Sequence, residues 1–527
     1  MNNNTDHSLS IANPDIPLDG KQKLGLGIAG LGLLVLFLAW FGVDLPNPGF
    51  WLGVSSLLLI LGAVVYGYTY MDSTAGIKNN HIWFRSLINW GVAGWVLGVF
   101  LTGFYCLLYW APQYLGYDVE GSGAANSGLV ALFDPLSQLF KNQPASQWFV
   151  YGTLYTIAIV GLGFKFIAKY RHNRYQIIRT ISVMFFQLGF AWLLPEFLLR
   201  MSLPYNDFKN MWPLNYYFFH DWSIQGMIQN GSIGMFMLIW GLAMMFIISP
   251  VLTYFYGKRW YCSWVCGCGG LAETAGDPFR HLSDKSLTAW KFERWIIYSV
   301  LVAVTVVTIA ILYVFLKNTG ENLMISHTAF AIFVIACMAL LAGGTWVYRD
   351  KMTGLDYKIR NAILIIAGVI AGFTILAMIT GGSNIFIINT YELTKWYGLI
   401  IGALFAGVIG VGFYPLMGSR VWCRFGCPMA AILGLQQKFF SRFRITVNGG
   451  QCISCGNCST YCEMGIDVRA YAQKGQDIVR SSCVGCGICA AVCPRGVLRL
   501  ENGSVDIDNR TKDLRTVHIP FDKVGIL

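Results

Sequence analysis

The chain reads Cys452-x-x-Cys455-x-x-Cys458-x-x-x-Cys462 and, after twenty further residues, Cys483-x-x-Cys486-x-x-Cys489-x-x-x-Cys493-Pro494. Three thiolates two residues apart can wrap one iron–sulfur cube on a tight loop, and the fourth, three residues further on, points to a neighbouring cube. The spacing therefore predicts two 4Fe–4S clusters with crossed ligands. Cluster 1 takes Cys452, Cys455, Cys458 and Cys493, and cluster 2 takes Cys483, Cys486, Cys489 and Cys462.

Two other uses of these cysteines fit the spacing less well. Zinc favours paired Cys-x-x-Cys spacings with four ligands per metal, not two runs of four. Disulfides would need an oxidising compartment. The second run ends in Cys493-Pro494, whereas Glu463 follows Cys462 in the first. Because this proline shapes a turn and is not a ligand, we expect both clusters to form.

The rest of the chain has the composition of a membrane protein. Of its 527 residues, 55% are hydrophobic and only 12% are charged, whereas a soluble domain of this length needs more surface charge. The net charge of +11 fits basic loops beside a membrane and does not indicate nucleic acid binding. We predict an all-α polytopic membrane protein in the lipid bilayer, with a small C-terminal α+β domain that holds the clusters.

Ten apolar runs are long enough to span a bilayer. They lie near 24–43, 50–70, 88–109, 148–168, 177–199, 232–256, 292–316, 324–346, 361–380 and 396–417. An amphipathic helix on the membrane surface is predicted within residues 110–147, and a substrate lid is the alternative for this segment. The motif Gly25-Leu-Gly27-Ile-Ala-Gly30 lies inside the first run, where glycines favour close helix packing over a dinucleotide site.

Lysine and arginine residues indicate the orientation of these spans, because cytoplasmic loops are the basic ones. With the N-terminus inside, the inner loops hold Lys78, Arg85, Lys169, Arg171, Arg174, Lys258, Arg259, Lys285, Lys291, Arg349, Lys351, Lys358 and Arg360, and the outer loops hold Lys141, Arg200, Lys209, Lys317 and Lys395. Ten spans then return the C-terminus to the cytoplasm, where thiols stay reduced. We predict a multi-pass protein of the bacterial inner membrane, with both termini and the cluster domain in the cytoplasm.

This pattern divides the chain into five parts. They are a cytoplasmic tail at 1–23, a four-span region at 24–176, a core membrane region at 177–440, the two-cluster ferredoxin domain at 441–500 and a C-terminal tail at 501–527.

Two further cysteine pairs directly follow the sixth and tenth runs, where we expect the chain to meet the cytoplasm. They are Cys262-x-x-x-Cys266, with Cys268 beyond it, and Cys423-x-x-x-Cys427. Positions four apart share a helix face, so each pair can present two thiols together. Three interpretations stay open: a third 4Fe–4S cluster, a dithiol or soft-metal site, and buried cysteines that only pack.

Paired membrane cysteine motifs followed by a two-cluster ferredoxin domain resemble the membrane-bound polyferredoxin family, which includes NapH-, NosR- and CcoG-like proteins. The segment Gly465-Ile466-Asp467-Val468-Arg469 is similar to one in CcoG-like members, and the resemblance covers about residues 177–500. It implies electron transfer between a quinone pool and a redox partner protein or respiratory complex. An assembly or metal-reducing factor that uses the membrane cysteines is the alternative. Gly267 departs from the family, which has proline after Cys266.

Polar residues within or beside spans are functional candidates by default. Glu196 lies near the outer end of the fifth run, His220 in an aromatic outer segment and His327 at the start of the eighth. They are candidates for a quinone or proton site. A Glu196–Arg200 salt bridge and interfacial hydrogen bonds are the alternative, and a transporter built on the first four spans is a further one.

Overall fold

The computed structural model describes residues 18–72, 91–118, 125–319, 326–347 and 357–502. This part of the chain contains ten helices that are long and apolar enough to cross a membrane. Spans 1 to 10 run Gly20–Trp40, Pro48–Met71, Val92–Trp110, Gln147–Lys169, Arg174–Arg200, Gly231–Tyr256, Leu287–Asn318, His327–Val347, Arg360–Thr380 and Thr390–Ile409. The predicted all-α membrane fold with ten spans is therefore confirmed.

Span 10 differs most from its predicted position. It occupies Thr390–Ile409 instead of 396–417, because the backbone leaves the helix at Gly410. A separate short helix, Tyr414–Met417, follows with Pro415 in its first turn. Glycine and proline both weaken a helix interior, so the apolar composition continues past the point where the helix ends.

Side-chain caps and close contacts explain where the spans begin and pack. Asp19 caps span 1 in a capping box with Gln22, and Ser146 caps span 4 by accepting a hydrogen bond from the Phe149 amide, each satisfying an open backbone donor.

Spans 1 and 2 pack closely against each other at glycine residues. A Cβ added at Gly62 would lie 2.6 Å from the Gly25 carbonyl oxygen. Gly25 therefore belongs to the predicted packing face, whereas a Cβ at Gly27 or Gly30 would meet nothing.

The amphipathic helix expected within 110–147 is present at Gly128–Lys141. Its apolar side chains, including Leu129, Val130 and Phe133, are buried in one cluster with residues of spans 1 to 4. The helix therefore packs against the bundle through the face that its sequence pattern defines.

The C-terminal domain, residues 443–502, contains strands β1 (Phe443–Val447) and β2 (Leu498–Asn502). They pair antiparallel, with Phe443 opposite Asn502 and Val447 opposite Leu498. Between them lie the short helices Asn457–Thr460, Val468–Gln473 and Ile488–Ala491. The predicted small α+β domain is therefore confirmed.

The C-terminal domain docks on one end of the bundle, which we call the domain face. Tyr175, at the start of span 5, donates a hydrogen bond to the Gly485 carbonyl at 2.9 Å. The Arg442 amide donates to the Tyr254 carbonyl, near the end of span 6, at 2.8 Å. The opposite ends of spans 5 and 6, Arg200 and Gly231, therefore mark the far face, and residues 201–230 connect them.

Several predictions fall outside the described residues. They concern the tail positions 1–17 and 503–527 and the loop residues Lys78, Arg85, Arg349 and Lys351.

Candidate iron–sulfur sites

The first cysteine run and the last cysteine of the second run line one small cavity in the C-terminal domain. Its wall includes the four residues predicted for cluster 1, Cys452, Cys455, Cys458 and Cys493. The loop can turn this tightly because Gly456 adopts a φ of +82°, which glycine tolerates without a steric penalty. The cavity thus gathers thiols that lie up to 41 residues apart in sequence.

The remaining four thiols line a second cavity in the same domain. Its wall includes Cys462, Cys483, Cys486 and Cys489, the set predicted for cluster 2. Gly485 and Gly487 have φ of +64° and +75°. A Cβ at Gly485 would lie 2.6 Å from the Arg259 Cβ, so the loop needs glycine to dock on the bundle. Cys489 and Cys458 interact electrostatically, which shows that the two cavities are neighbours.

The chemistry of these cavities suits an iron–sulfur group. All eight cysteines are free. Burial raises the pKa of Cys458 to about 12 and that of Cys483 to about 11. Without a metal, these thiols therefore stay protonated at neutral pH. A bound metal ion stabilises the thiolate form and so deprotonates the thiol. Among the residues described, no group of three or more His, Cys, Asp or Glu could hold a single metal ion.

The two membrane cysteine motifs meet in one buried group. Cys262, Cys423 and Cys427 are buried, and Cys427 interacts electrostatically with Cys423, Cys262 and Cys266. Cys266 and Cys268 also lie close enough to interact with each other. The structure therefore brings together five thiols from two segments about 160 residues apart. Both a third 4Fe–4S cluster and a shared soft-metal site require such a group.

These thiols lie deeper than the sequence suggests. The Ser182 hydroxyl donates to the Trp264 carbonyl at 3.0 Å, and Gly267 packs against Gln187, which is thirteen residues from each end of span 5. Cys266 is thus next to a residue that lies level with the middle of span 5, deeper along the bundle than its position after the end of span 6 suggests. Helix Gly267–Thr274 turns back into the bundle, where Gly267, Gly269 and Gly270 permit the close helix contacts typical of membrane proteins.

We expect Gly267→Ala to destabilise this region. A Cβ at Gly267 would overlap Gln187 Oε1, and overpacking of a well-packed interior costs about 1–3 kcal/mol. Thermal unfolding followed by the visible absorbance of the purified protein measures the change. Gly343→Ala is the matched control, because a Cβ there meets nothing. A second substitution, Gln187→Ala, should restore much of the stability, and no recovery would contradict the overlap.

A buried charge network connects the membrane cysteines to the C-terminal domain. Arg420 donates hydrogen bonds to the Cys262 carbonyl at 3.2 Å and to Cys423 Sγ at 3.7 Å. It also pairs with Glu273 at 2.6 Å and with Glu463 at 3.0 Å. Arg280 pairs with Glu463 at 2.8 Å. Burial alone would raise the pKa of Glu463, but Arg280 and Arg420 hold it below its usual value.

Sequence analysis missed the role of Glu463 in this network. The signal was its position after Cys462, where the second run has proline. Glu463 is fully buried and interacts with the cluster 2 residue Cys486, so it lies between the second cavity and Arg420.

The three candidates for an outer quinone or proton site have separate neighbours. Glu196 pairs with Lys141 at 3.4 Å. The alternative of a salt bridge therefore holds for Glu196 with Lys141 in place of Arg200, which donates to the Leu139 carbonyl. The His220 ring packs 5.5 Å from the Tyr391 ring, and the His327 ring 5.8 Å from the Tyr313 ring.

A larger cavity lies between the C-terminal domain and spans 5 and 6. Its volume is about 970 Å³, at the upper end of the range for small-molecule sites. Apolar and aromatic side chains dominate its wall, among them Phe186, Leu252 and Trp264. Gly487, in the cluster 2 loop, and Val265, beside Cys266, also line it. The cavity wall therefore includes a residue next in sequence to a cysteine of each group, Val265 beside Cys266 and Gly487 beside Cys486.

Comparisons with known proteins agree with these sites. A family described as "4Fe-4S dicluster domain" matches residues 444–494. This range contains all eight cysteines of the C-terminal domain. A family described as "4Fe-4S binding domain" matches twice, at 237–286 and 399–446, and each match contains one membrane cysteine motif.

Two curated relatives match part of the chain. "Putative electron transport protein YccM" of Escherichia coli (strain K12) is 22% identical over 226 residues, 43% of this chain and 47% of that protein. "Uncharacterized protein MJ0749" of Methanocaldococcus jannaschii is 28% identical over 118 residues, 22% of this chain and 42% of that protein. The chain thus spans less than half the length of each relative, and no solved structure matches it. The chain thus contains domains that match 4Fe-4S families within a protein with ten candidate membrane spans, and one of its relatives is named as a putative electron transport protein.

Proposed function

We propose that this chain transfers electrons between a redox partner protein, which docks at the C-terminal domain, and a membrane quinone. The observation that carries the proposal is the series of neighbouring groups in which the two cavities of the domain adjoin and the Glu463–Arg420 pair links the second cavity to the membrane cysteines. Cluster 1 would be held by Cys452, Cys455, Cys458 and Cys493, cluster 2 by Cys483, Cys486, Cys489 and Cys462, and a third by Cys262, Cys266, Cys423 and Cys427. A 4Fe–4S cluster, when bound, accepts and donates one electron at a potential set by its surroundings.

The residues between the groups support this series. Cys489 and Cys458 lie close enough to interact across the two cavities of the domain. From the second cavity, Glu463 leads to Arg420, and Arg420 contacts Cys423 and the Cys262 backbone. Buried hydrogen bonds and charges near sulfur tune the potential of an iron–sulfur group. Arg420 would therefore favour the more negative, reduced state of a group on Cys423.

The cavity between the domain and spans 5 and 6 is the quinone site that we favour over the far-face set Glu196, His220 and His327. Its apolar wall suits an isoprenoid tail, and the Arg259 guanidinium in the wall has several N–H groups that can donate to a quinone carbonyl. The Trp264 indole donates to the Tyr175 hydroxyl at 3.2 Å, and Tyr175 donates to Gly485 in the cluster 2 loop. These contacts would place the quinone head beside both cysteine groups.

The basic loops support a bacterial inner membrane location with the domain face in the cytoplasm. Lys169, Arg171, Lys258 and Arg259 all lie at the domain face, where they contact the C-terminal domain or adjoining loops. Cytoplasmic loops carry this excess of positive charge.

Filling the cavity should slow electron exchange with quinone. We expect Leu252→Trp, which adds bulk to the cavity wall, to lower the rate at which a short-chain quinone reoxidises the dithionite-reduced protein by about tenfold, or 1.4 kcal/mol. Anaerobic stopped-flow absorbance measures this rate. Val251→Trp is the matched control, because Val251 is exposed on the same helix and is not part of the wall. An unchanged Leu252→Trp rate with a slow His220→Gln variant would instead move the exchange to the far face.

A further inference from the structure

The segment at 201–220 enters the bundle from the far face, and we call it the re-entrant segment. The Ser249 hydroxyl donates to Met211 Sδ at 3.0 Å, and the Trp212 indole donates to Thr308 in span 7 at 2.9 Å. The Tyr397 hydroxyl of span 10 donates to the Pro213 carbonyl at 3.3 Å. Contacts with three spans fix the segment inside the bundle.

The depth of this segment follows from its partner on span 6. Ser249 comes 18 residues after Gly231, the far-face end of the span, and 7 residues before Tyr256. At 1.5 Å per residue, 18 residues correspond to roughly 27 Å of helix. Met211 therefore lies well past the middle of span 6, closer to the domain face than to the far face.

The re-entrant segment reaches the membrane cysteines. The Tyr261 hydroxyl, one residue before Cys262, donates to Asn210 Oδ1 at 3.2 Å. Lys209 is buried and interacts electrostatically with Cys266 and Cys268. Met211 and Trp212 belong to the same buried cluster as Cys262, Cys423 and Cys427. The far-face connection therefore contacts the residue before Cys262 and packs in the same buried cluster as the thiol group.

Lys209 is an unusual residue for this depth. A charged side chain inside a membrane protein is costly and marks a functional pathway by default. Asp207 is its ion-pair partner, with a long separation of 3.5 Å, and Cys266 and Cys268 are near enough to act on its charge. Arg420 contacts the thiol group from the domain face. Two buried cations therefore flank the group, which suits a bound anion such as a thiolate-ligated iron–sulfur cluster.

Aromatic rings continue from this point to the far face. The rings of Trp212 and Phe219 lie 5.2 Å apart, and Phe218 packs beside Phe219 at 5.0 Å. His220 then packs against Tyr391 at the far-face start of span 10. Asn210 is exposed, so the segment is also open to its surroundings next to Tyr261.

We propose that the chain conducts electrons across the membrane, from the C-terminal domain to an acceptor at the far face, through the thiol group beside which the re-entrant segment ends. The proposal rests on the iron–sulfur electron transfer proposed above and adds an exit at the opposite face. Each electron that leaves a donor at the domain face reduces one acceptor at the far face. Lys209 is a positioning residue that stabilises negative charge on the thiol group.

The test uses the whole protein in sealed vesicles, with the C-terminal domain outside as verified by protease accessibility. Dithionite outside is the donor, and trapped ferricyanide, which becomes ferrocyanide by gaining one electron, is the acceptor. Valinomycin with potassium ions compensates the charge that crosses. We expect ferricyanide loss at least tenfold above that of protein-free vesicles. Lys209→Gln should lower it about tenfold, Lys209→Arg should restore it, and Lys395→Gln, an exposed far-face lysine, should leave it unchanged.

Iron per chain and the redox titration of the visible spectrum are measured on the same variants. Unchanged iron with a lower midpoint potential in Lys209→Gln supports the positioning role, whereas an unchanged potential and rate overturn it. If dithionite bleaches the wild-type clusters and trapped ferricyanide persists, the far-face exit is wrong while iron–sulfur electron transfer stands. If dithionite bleaches nothing, the proposed function itself fails. Should Lys209→Gln lose iron, the wild-type flux still decides whether electrons cross.

Discussion

Replacement of Cys262 and Cys423 by serine together is expected to lower the iron content from about twelve atoms per chain to about eight, because one of three four-iron clusters would lose two ligands. Both residues are buried in the group that joins the two membrane motifs, and Arg420 contacts both segments there. Iron and acid-labile sulfide on anaerobically purified protein measure the change, and both should fall in equal numbers.

The matched control is the double variant Cys106→Ser, Cys337→Ser. These cysteines lie within spans 3 and 8 and are partly exposed, so their replacement should leave about twelve irons if three clusters form. About eight irons in wild type and in both variants would show that the membrane thiols carry no cluster. Bound copper at these thiols, with about eight irons, would favour the assembly or metal-reducing alternative. Fewer than about four irons in wild type would contradict both clusters of the C-terminal domain.

Much of the architecture was predictable because its signals are local. In lipid, a run of about twenty apolar residues can satisfy the hydrogen bonds of its backbone only as a helix. The number of spans therefore follows from the number of such runs. The spacing of the eight C-terminal cysteines likewise limits how their loops can fold. The sorting of these cysteines into two cavities is the arrangement that the spacing predicts.

The deep position of the membrane cysteines was not predictable from local signals. Sequence places Cys266 ten residues after span 6, and this position alone suggests the membrane surface. The depth depends on helix Gly267–Thr274 returning to pack on spans 4 and 5, which is a tertiary contact. The glycines at its start were the available hint, since close helix packing in membranes uses small residues.

The re-entrant segment was hidden for a similar reason. Its aromatic composition is also that of an interfacial belt, where Trp and Tyr rings sit at the membrane surface. Only the contacts of Met211, Trp212 and Pro213 with three spans distinguish the two arrangements. Lys209 was counted as an outer loop residue, although its burial and its position beside Cys266 depend on this fold.

Removal of Glu463 should produce the largest loss of stability. Its carboxylate pairs with Arg280 at 2.8 Å and Arg420 at 3.0 Å, and all three side chains are almost completely inaccessible. Breaking a buried ion pair by deleting one partner costs about 3–5 kcal/mol, because the remaining charge is left without compensation. Glu463→Ala removes one of the two anionic partners of each arginine, so that Arg420 keeps only Glu273 and Arg280 keeps only Asp277. It should therefore weaken the docking of the C-terminal domain and expose the cluster 2 site to solvent.

Denaturant unfolding, followed separately by cluster absorbance and by tryptophan fluorescence of the bundle, measures this effect. We expect Glu463→Ala to lower the free energy of unfolding seen by cluster absorbance by about 3–5 kcal/mol, with Glu463→Asp intermediate. Glu392→Ala is the control, because the Glu392–Lys395 pair is 53% and 71% exposed and such pairs contribute about 1 kcal/mol or less. Glu463→Pro places after Cys462 the residue type that follows Cys493 in the second run. If the turn alone matters, this variant should match wild type, and if the ion pairs matter, it should unfold as easily as Glu463→Ala. Equal stability of all four variants would show that the network does not hold the domain to the membrane.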